Sequence, residues 1–211
     1  MKPVVEGAAQ DELAAELVER TWEVVHSKRF RDNFLSLRAL HPRLWLAPRG
    51  DTVCPEQAVG ALMEEVGWER RVEAVTVLIV QGGGGVETAS TEIVASADGR
   101  LKAVMRLGRS AVTRWECGGM AASCAINTVA HELTHTVASP DGAELFADRG
   151  VTYAEMRDRQ LVSYFVGAVA QCTYLQLEAE RAGKSHDLAD CIRKVGTRRM
   201  NASLCLCGVE Q

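Results

Sequence analysis

The stretch that most constrains this chain runs from Ala121 to Ala138 and contains His131-Glu132-Leu133-Thr134-His135. Ile126, Val129, Ala130, Leu133 and Val137 recur at helical spacing and form an apolar stripe, while Thr128, His131 and His135 fall on another side. The spacing predicts a helix that buries one face and aims its histidines into a cleft. Residues four apart on a helix lie on the same face, so both imidazoles can reach one metal ion. Glu132 projects beside the pair, where a carboxylate can take a proton from a metal-bound water.

The chain has 211 residues, enough for one domain with a real core. Its 47% apolar and 25% charged content is that of a globular protein, and a net charge of −4 leaves no footprint for nucleic acid. No apolar run approaches the ~18 residues of a membrane span, so no membrane partner is expected. Met1-Lys2-Pro3-Val4-Val5-Glu6-Gly7 lacks the apolar core of a signal peptide, which implies either a cytoplasmic chain or a leader already removed.

In chain order, Asp11 to His26 and Phe30 to Leu40 read as helices, and a third runs from about Pro55 to Val66 behind a cap at Asp51 or Thr52. Val72 to Val80 is short and β-branched, hence a buried strand. Gly82 to Gly85 forms a loose loop. Thr91 to Ser96 and Leu101 to Leu107 make a hairpin around Asp98-Gly99, and Ser110 to Trp115 is open to a further strand. Met156 to Arg181 reads as a long helix, and Ser185 caps a last one through Val195.

The pattern H-E-x-x-H is that of the zincins, and the pentapeptide HELTH resembles the thermolysin-like zinc peptidases down to its two middle residues. The resemblance covers roughly residues 120–150. It implies a zinc-dependent metallopeptidase acting on a peptide or protein substrate, with Zn2+ on His131 and His135 and Glu132 as general base. The expected fold is α+β: a single, mainly helical zincin-like domain over 1–211, with a helical part at 1–70, a small sheet at 71–115 preceding the histidine helix, and helices at 120–197. In such folds an edge strand takes the substrate in extended form, and the hairpin at 91–107 is the candidate edge.

A catalytic zinc takes three protein ligands and leaves a position for water. His26, His41 and His186 lie at element ends and read as surface or capping histidines. The third ligand is then a carboxylate downstream. Ser139, Pro140 and Gly150 delimit a predicted helix on which Glu144 and Asp148, at i and i+4, share a face. The string Glu144-Leu145-Phe146-Ala147-Asp148 resembles the E-x-x-A-D element of gluzincins, in which the Glu binds zinc and the Asp orients a ligand histidine. That implies Glu144 as third ligand, with Asp141 and Asp148 as rivals. Asp141 lies where metzincins carry a third ligand, although Ala138 stands where they need glycine, and Glu155 follows a longer linker. Tyr153 and His186 are candidate oxyanion donors.

Seven cysteines, at 54, 117, 124, 172, 191, 205 and 207, bear on compartment. Cys117 and Cys124 flank the entry to the histidine helix, and Cys172 and Cys191 sit on neighbouring predicted helices. Both pairs could be disulfides, which would put the protein in a secreted or periplasmic setting; free thiols would put it in the cytoplasm. The Cys205-Leu206-Cys207 pair has no zinc-knuckle spacing. Two further readings stay open. A zinc hydrolase of a non-peptide amide would use the same residues, whereas a non-catalytic zinc-stabilised binding module would need the metal but not Glu132.

Overall fold

A computed structural model describes residues 2–6, 11–38, 45–46, 60–64, 72–81, 89–96, 99–138, 144, 146, 148, 160–196 and 202–207. Its elements, in order, are β1 (Val4–Glu6), α1 (Glu12–Val25), α2 (Lys28–Arg38), β2 (Trp45–Leu46), β3 (Val72–Val80), β4 (Ala89–Ala95) and β5 (Leu101–Gly108). Then follow α3 (Arg109–Cys117), α4 (Gly119–Thr134, the histidine helix), β6 (Gln160–Leu161), α5 (Val162–Arg181), α6 (Leu188–Val195) and a 3-10 turn at Ala202–Cys205. The mixture of helix and sheet agrees with the α+β expectation at that level.

The four-stranded sheet has the order β1-β3-β5-β4. β3 runs parallel to both β1 and β5, whereas β4 runs antiparallel to β5 from Ala89↔Leu107 to Ala95↔Leu101. The predicted hairpin is therefore present, and among the described residues β4 is an edge of the sheet. β2 and β6 pair in parallel as a separate two-stranded ribbon.

The histidine helix lies in the middle of the core. Gly118 and Gly119 adopt φ of 73° and 54°, a region open to glycine and strained for other residues, so α3 passes into α4 with almost no linker. Residues 121–138 are buried except for His131, which is partly exposed. Small residues on α4 let α5 approach closely. A Cβ added at Gly167 would meet Asn127 Oδ1 at 2.4 Å and Asn127 O at 3.0 Å. Asn127 also donates from Nδ2 to Gln171 Oε1 at 2.8 Å, so the crossing carries a buried polar contact that fixes its register. Gly167→Ala forces backbone or a bonded amide to move, and is expected to lower stability by about 1–3 kcal/mol. An unchanged thermal unfolding midpoint would show instead that the two helices part there without cost.

α1 covers the other side of the core with Ala14, Leu17, Val18, Thr21, Val24 and Val25. Asp11 Oδ1 caps it by accepting from Ala14 N at 3.2 Å. His26 closes it: its ring stacks on Trp22 and its Nδ1 lies 2.9 Å from Trp22 O, which is the capping role expected of it.

Several boundaries differ from expectation. Ser110 to Trp115 is helix, not strand: Ala111 and Val112 are buried while Arg109, Ser110 and Thr113 face solvent, a one-sided pattern that suits a helix over the sheet end. The long helix starts at Val162 rather than Met156, because Gln160 and Leu161 pair with Trp45 and Leu46. The last helix is capped by Asp187, not Ser185; Asp187 Oδ1 accepts from Asp190 N at 2.6 Å. Of the third predicted helix only 60–64 is described, with a helical turn at 60–62. The Gly82–Gly85 loop lies outside the described residues.

Three disulfides join Cys117 to Cys207, Cys124 to Cys205 and Cys172 to Cys191. The α5–α6 pairing is as expected. Cys117 and Cys124 are not paired with each other; each is joined to the 205–207 segment, which lies against the start of α4. Cys54 lies outside the described residues.

Candidate metal centre

His131 sits in the last turn of α4 and His135 is its C-cap. The end of the helix is tied down locally, with Thr134 Oγ1 donating to His131 O and Thr136 Oγ1 to Leu133 O, both at 2.7 Å. One turn apart, the two Nε2 atoms face each other at 3.1 Å with the rings edge-to-face. The His131, Glu132 and His135 ligand atoms all lie within 4.8 Å of one another, an arrangement that could hold a metal ion.

The segment after the helix brings two carboxylates to this pair. Glu144 forms an isolated antiparallel bridge with Ala138, so the chain reverses and returns along the helix end. The helix expected over 140–149 is absent at its described residues, because Glu144 pairs across to Ala138 rather than along the chain, and Phe146 lies in a turn with its ring in the core. The carboxylates thus converge from irregular chain, not from one helical face. Asp148 Oδ2 lies 3.0 Å from His131 Nε2 and 3.7 Å from His135 Nε2. Glu144 Oε1 contacts the opposite nitrogen of His135, Nδ1. Asp141, Glu155 and the candidate oxyanion donor Tyr153 lie outside the described residues, as does His41.

Charge follows this geometry. Burial of His135 disfavours its protonated form, but the Glu144 contact and the nearby charges of Glu132 and Asp148 outweigh it and hold the imidazole pKa above its ordinary 6.5. Burial works to raise the Asp148 pKa, yet the His131 contact and both imidazoles prevail and depress it. Ser163 Oγ adds a longer donation to Asp148 Oδ2 at 3.4 Å.

A cavity of about 220 Å³ opens over these groups, lined by Ala89 to Thr91 of β4, by His131, Glu132 and His135, by both acceptor carboxylates, and by Tyr164. Two of its residues, Thr91 and Tyr164, and Ser163 behind Asp148 are not singled out by the sequence. Thr91 Oγ1 donates to Glu132 Oε2 at 2.7 Å. Tyr164, one turn before Gly167, stands edge-on to His131 with centroids 4.7 Å apart. Ser163 supports Asp148. The only signal for Thr91 was a polar residue in the inward-facing register of a strand; Tyr164 carried none. His186, the other candidate oxyanion donor, lies away from this cavity and accepts from Gln176 through its backbone oxygen.

These donors are spaced as a metal ion could use them. Bonds of about 2.0–2.1 Å to N and O donors in tetrahedral geometry put ligand atoms roughly 3.3 Å apart. His131 Nε2, His135 Nε2 and Asp148 Oδ2 stand 3.1, 3.0 and 3.7 Å from one another, close to the edges of one face of such a tetrahedron. No known protein family, curated protein or solved structure matches this chain.

Proposed function

We propose that this chain is a zinc-dependent metallopeptidase of the zincin type. The observation that carries the reading is the convergence of His131 Nε2, His135 Nε2 and Asp148 Oδ2 with the Glu132 carboxylate beside them, at the mouth of a cavity bordered by an edge strand. His131, His135 and Asp148 hold the ion. The resemblance alone would give the ligand role to Glu144 and the supporting role to Asp148. The distances favour the exchange: Asp148 faces the Nε2 atoms, and Glu144 faces Nδ1, where a second carboxylate fixes tautomer and ring orientation.

Held by His131, His135 and Asp148, a zinc ion would make water nucleophilic near neutral pH and would polarise the scissile carbonyl. Glu132 accepts the proton of the attacking water as the water oxygen bonds to the carbonyl carbon, and gives it to the amine nitrogen as the C–N bond breaks. Glu144 holds His135 in the tautomer that turns Nε2 inward. Among the described residues β4 has a strand on one side only, and its other edge suits an extended peptide, with Ala89, Ser90 and Thr91 at the cavity. A binding module with a purely structural ion would have no use for Glu132, and structural sites usually fill all four positions with Cys or His. The three disulfides favour an oxidising setting, secreted or periplasmic, and among the described residues no helix is long and apolar enough to cross a membrane.

Elemental analysis of the purified protein, with hydrolysis of a fluorescence-quenched peptide mixture, tests this reading. About one zinc per chain with peptide turnover is expected from the donor set, and loss of both in His135→Ala. Absence of any transition metal after reconstitution would sink it.

Binding should also depend on pH. A protonated imidazole cannot ligate, and the His135 pKa is raised, so protons compete with the metal up to a pH above the ordinary 6.5. Apparent zinc affinity is expected to fall as pH drops through that window. Glu144→Gln removes the largest favourable contact to the imidazolium and should move the fall to lower pH. In the metal-free protein the signs differ by group. The raised His135 contributes stability that is present at acid pH and lost as pH rises through its folded pKa. The depressed Asp148 contributes stability that is lost as pH falls through its own. A chelator-competition titration from pH 5 to 8 reads the binding, and a flat profile would count against His135 as a ligand.

A further inference from the structure

We propose that Thr91 is a positioning residue for the general base, holding Glu132 by its Oε2 so that Oε1 meets the attacking water; this rests on the metallopeptidase reading above. Thr91 Oγ1 donates to Glu132 Oε2 at 2.7 Å, and the two side chains are 3% and 5% exposed. Hydrogen bonds to an ionised acceptor are among the stronger ones. This one ties a flexible side chain to a stiff one. Glutamate reaches its carboxylate through three rotatable bonds, whereas threonine is branched at Cβ and restricted at its single torsion.

The anchor itself is fixed by the sheet. Thr91 pairs with Met105 in unbroken register along β4 and β5, and Met105 is wholly buried. The hydroxyl is thus supplied by the edge strand at a set depth against α4. With Oε2 engaged, the proton lifted from water goes to Oε1, and leaves from Oε1 to the amine nitrogen. Thr91 keeps its own proton throughout. It acts through Glu132.

The inference also gives β4 a second task. The strand whose open edge suits an extended substrate carries the hydroxyl that orients the base, so the two halves of the reaction share one rigid element. A chain with Thr91→Val should still take up substrate along the strand, but should present the carboxylate poorly.

The test compares Thr91→Val and Thr91→Ser with wild type on the same quenched-peptide mixture, with zinc content measured in each. Loss of the hydroxyl is expected to lower kcat by roughly 10- to 100-fold, part of what a positioned base supplies, with KM within about twofold and zinc content unchanged. Thr91→Ser should restore kcat to within a few-fold of wild type. Wild-type kcat in Thr91→Val overturns the inference while leaving the metallopeptidase reading intact, as Glu132→Gln will show by its own loss. Equal losses of kcat and zinc in the Val and Ser variants would also overturn it, making Thr91 a packing residue. A wild type that holds zinc but hydrolyses no peptide overturns the functional reading, and Thr91's role with it.

Discussion

Glu132→Gln is expected to keep zinc at wild-type affinity and to lose about 10²- to 10⁴-fold in kcat, the range a general base contributes. The substitution preserves shape and one acceptor oxygen, so Thr91 can still donate and the buried site stays filled. What it removes is the group that takes the proton. Burial makes the experiment informative, because at 5% exposure Glu132 has little contact with bulk water and no surface role to explain its presence. Elemental analysis and steady-state kinetics on one preparation separate the outcomes. Retained turnover would remove Glu132 from the chemistry, whereas a wild type that holds zinc without turnover would favour the binding-module reading. Loss of zinc together with turnover would make Glu132 a contributor to metal retention instead.

Asp148→Ala should weaken zinc binding by more than about 100-fold, while Glu144→Gln weakens it by the 10- to 100-fold typical of a partner that orients a ligand. The order, more than either magnitude, carries the argument. Asp148 Oδ2 lies within 3.7 Å of both Nε2 atoms, whereas Glu144 meets His135 at the nitrogen facing away from them. Competition against a chromogenic chelator measures both variants on one scale. The reverse order would return the ligand role to Glu144, as the E-x-x-A-D resemblance implies.

Local periodicity explains what could be read in advance. The histidine helix, the first two helices, the strand at 72–80 and the Asp98-Gly99 hairpin each announce themselves within a dozen residues, through apolar spacing, a cap or a turn dipeptide. The stretch after Ala138 gave the opposite lesson. Ser139, Pro140 and Gly150 are sound helix punctuation, but a single bridge between Ala138 and Glu144 overrides them at Glu144. Pairing across the chain leaves no periodic trace. Thr113 and Trp115 gave 110–115 a β-like texture, yet the segment packs two consecutive residues inward as a helix must. Thr91 and Tyr164 reach the centre from positions 41 residues before Glu132 and 33 after His131, so no spacing within the motif could point to them. The partners of Cys117 and Cys124 were hidden for the same reason, whereas Cys172 and Cys191 on neighbouring helices were legible.

The two disulfides around the start of the histidine helix, one from the end of α3 and one from α4, have a consequence for time. Cys117 and Cys124 precede their partners by 90 and 81 residues. At about 5–20 residues per second, synthesis leaves the histidine helix without its fasteners for something like 4–18 seconds. Until residues 205 and 207 emerge and an oxidant acts on all four thiols, α4 is held by packing alone. The nascent protein therefore carries its histidines and Glu132 long before they sit on a clamped helix, and the rigid centre belongs to the chain that has met an oxidant.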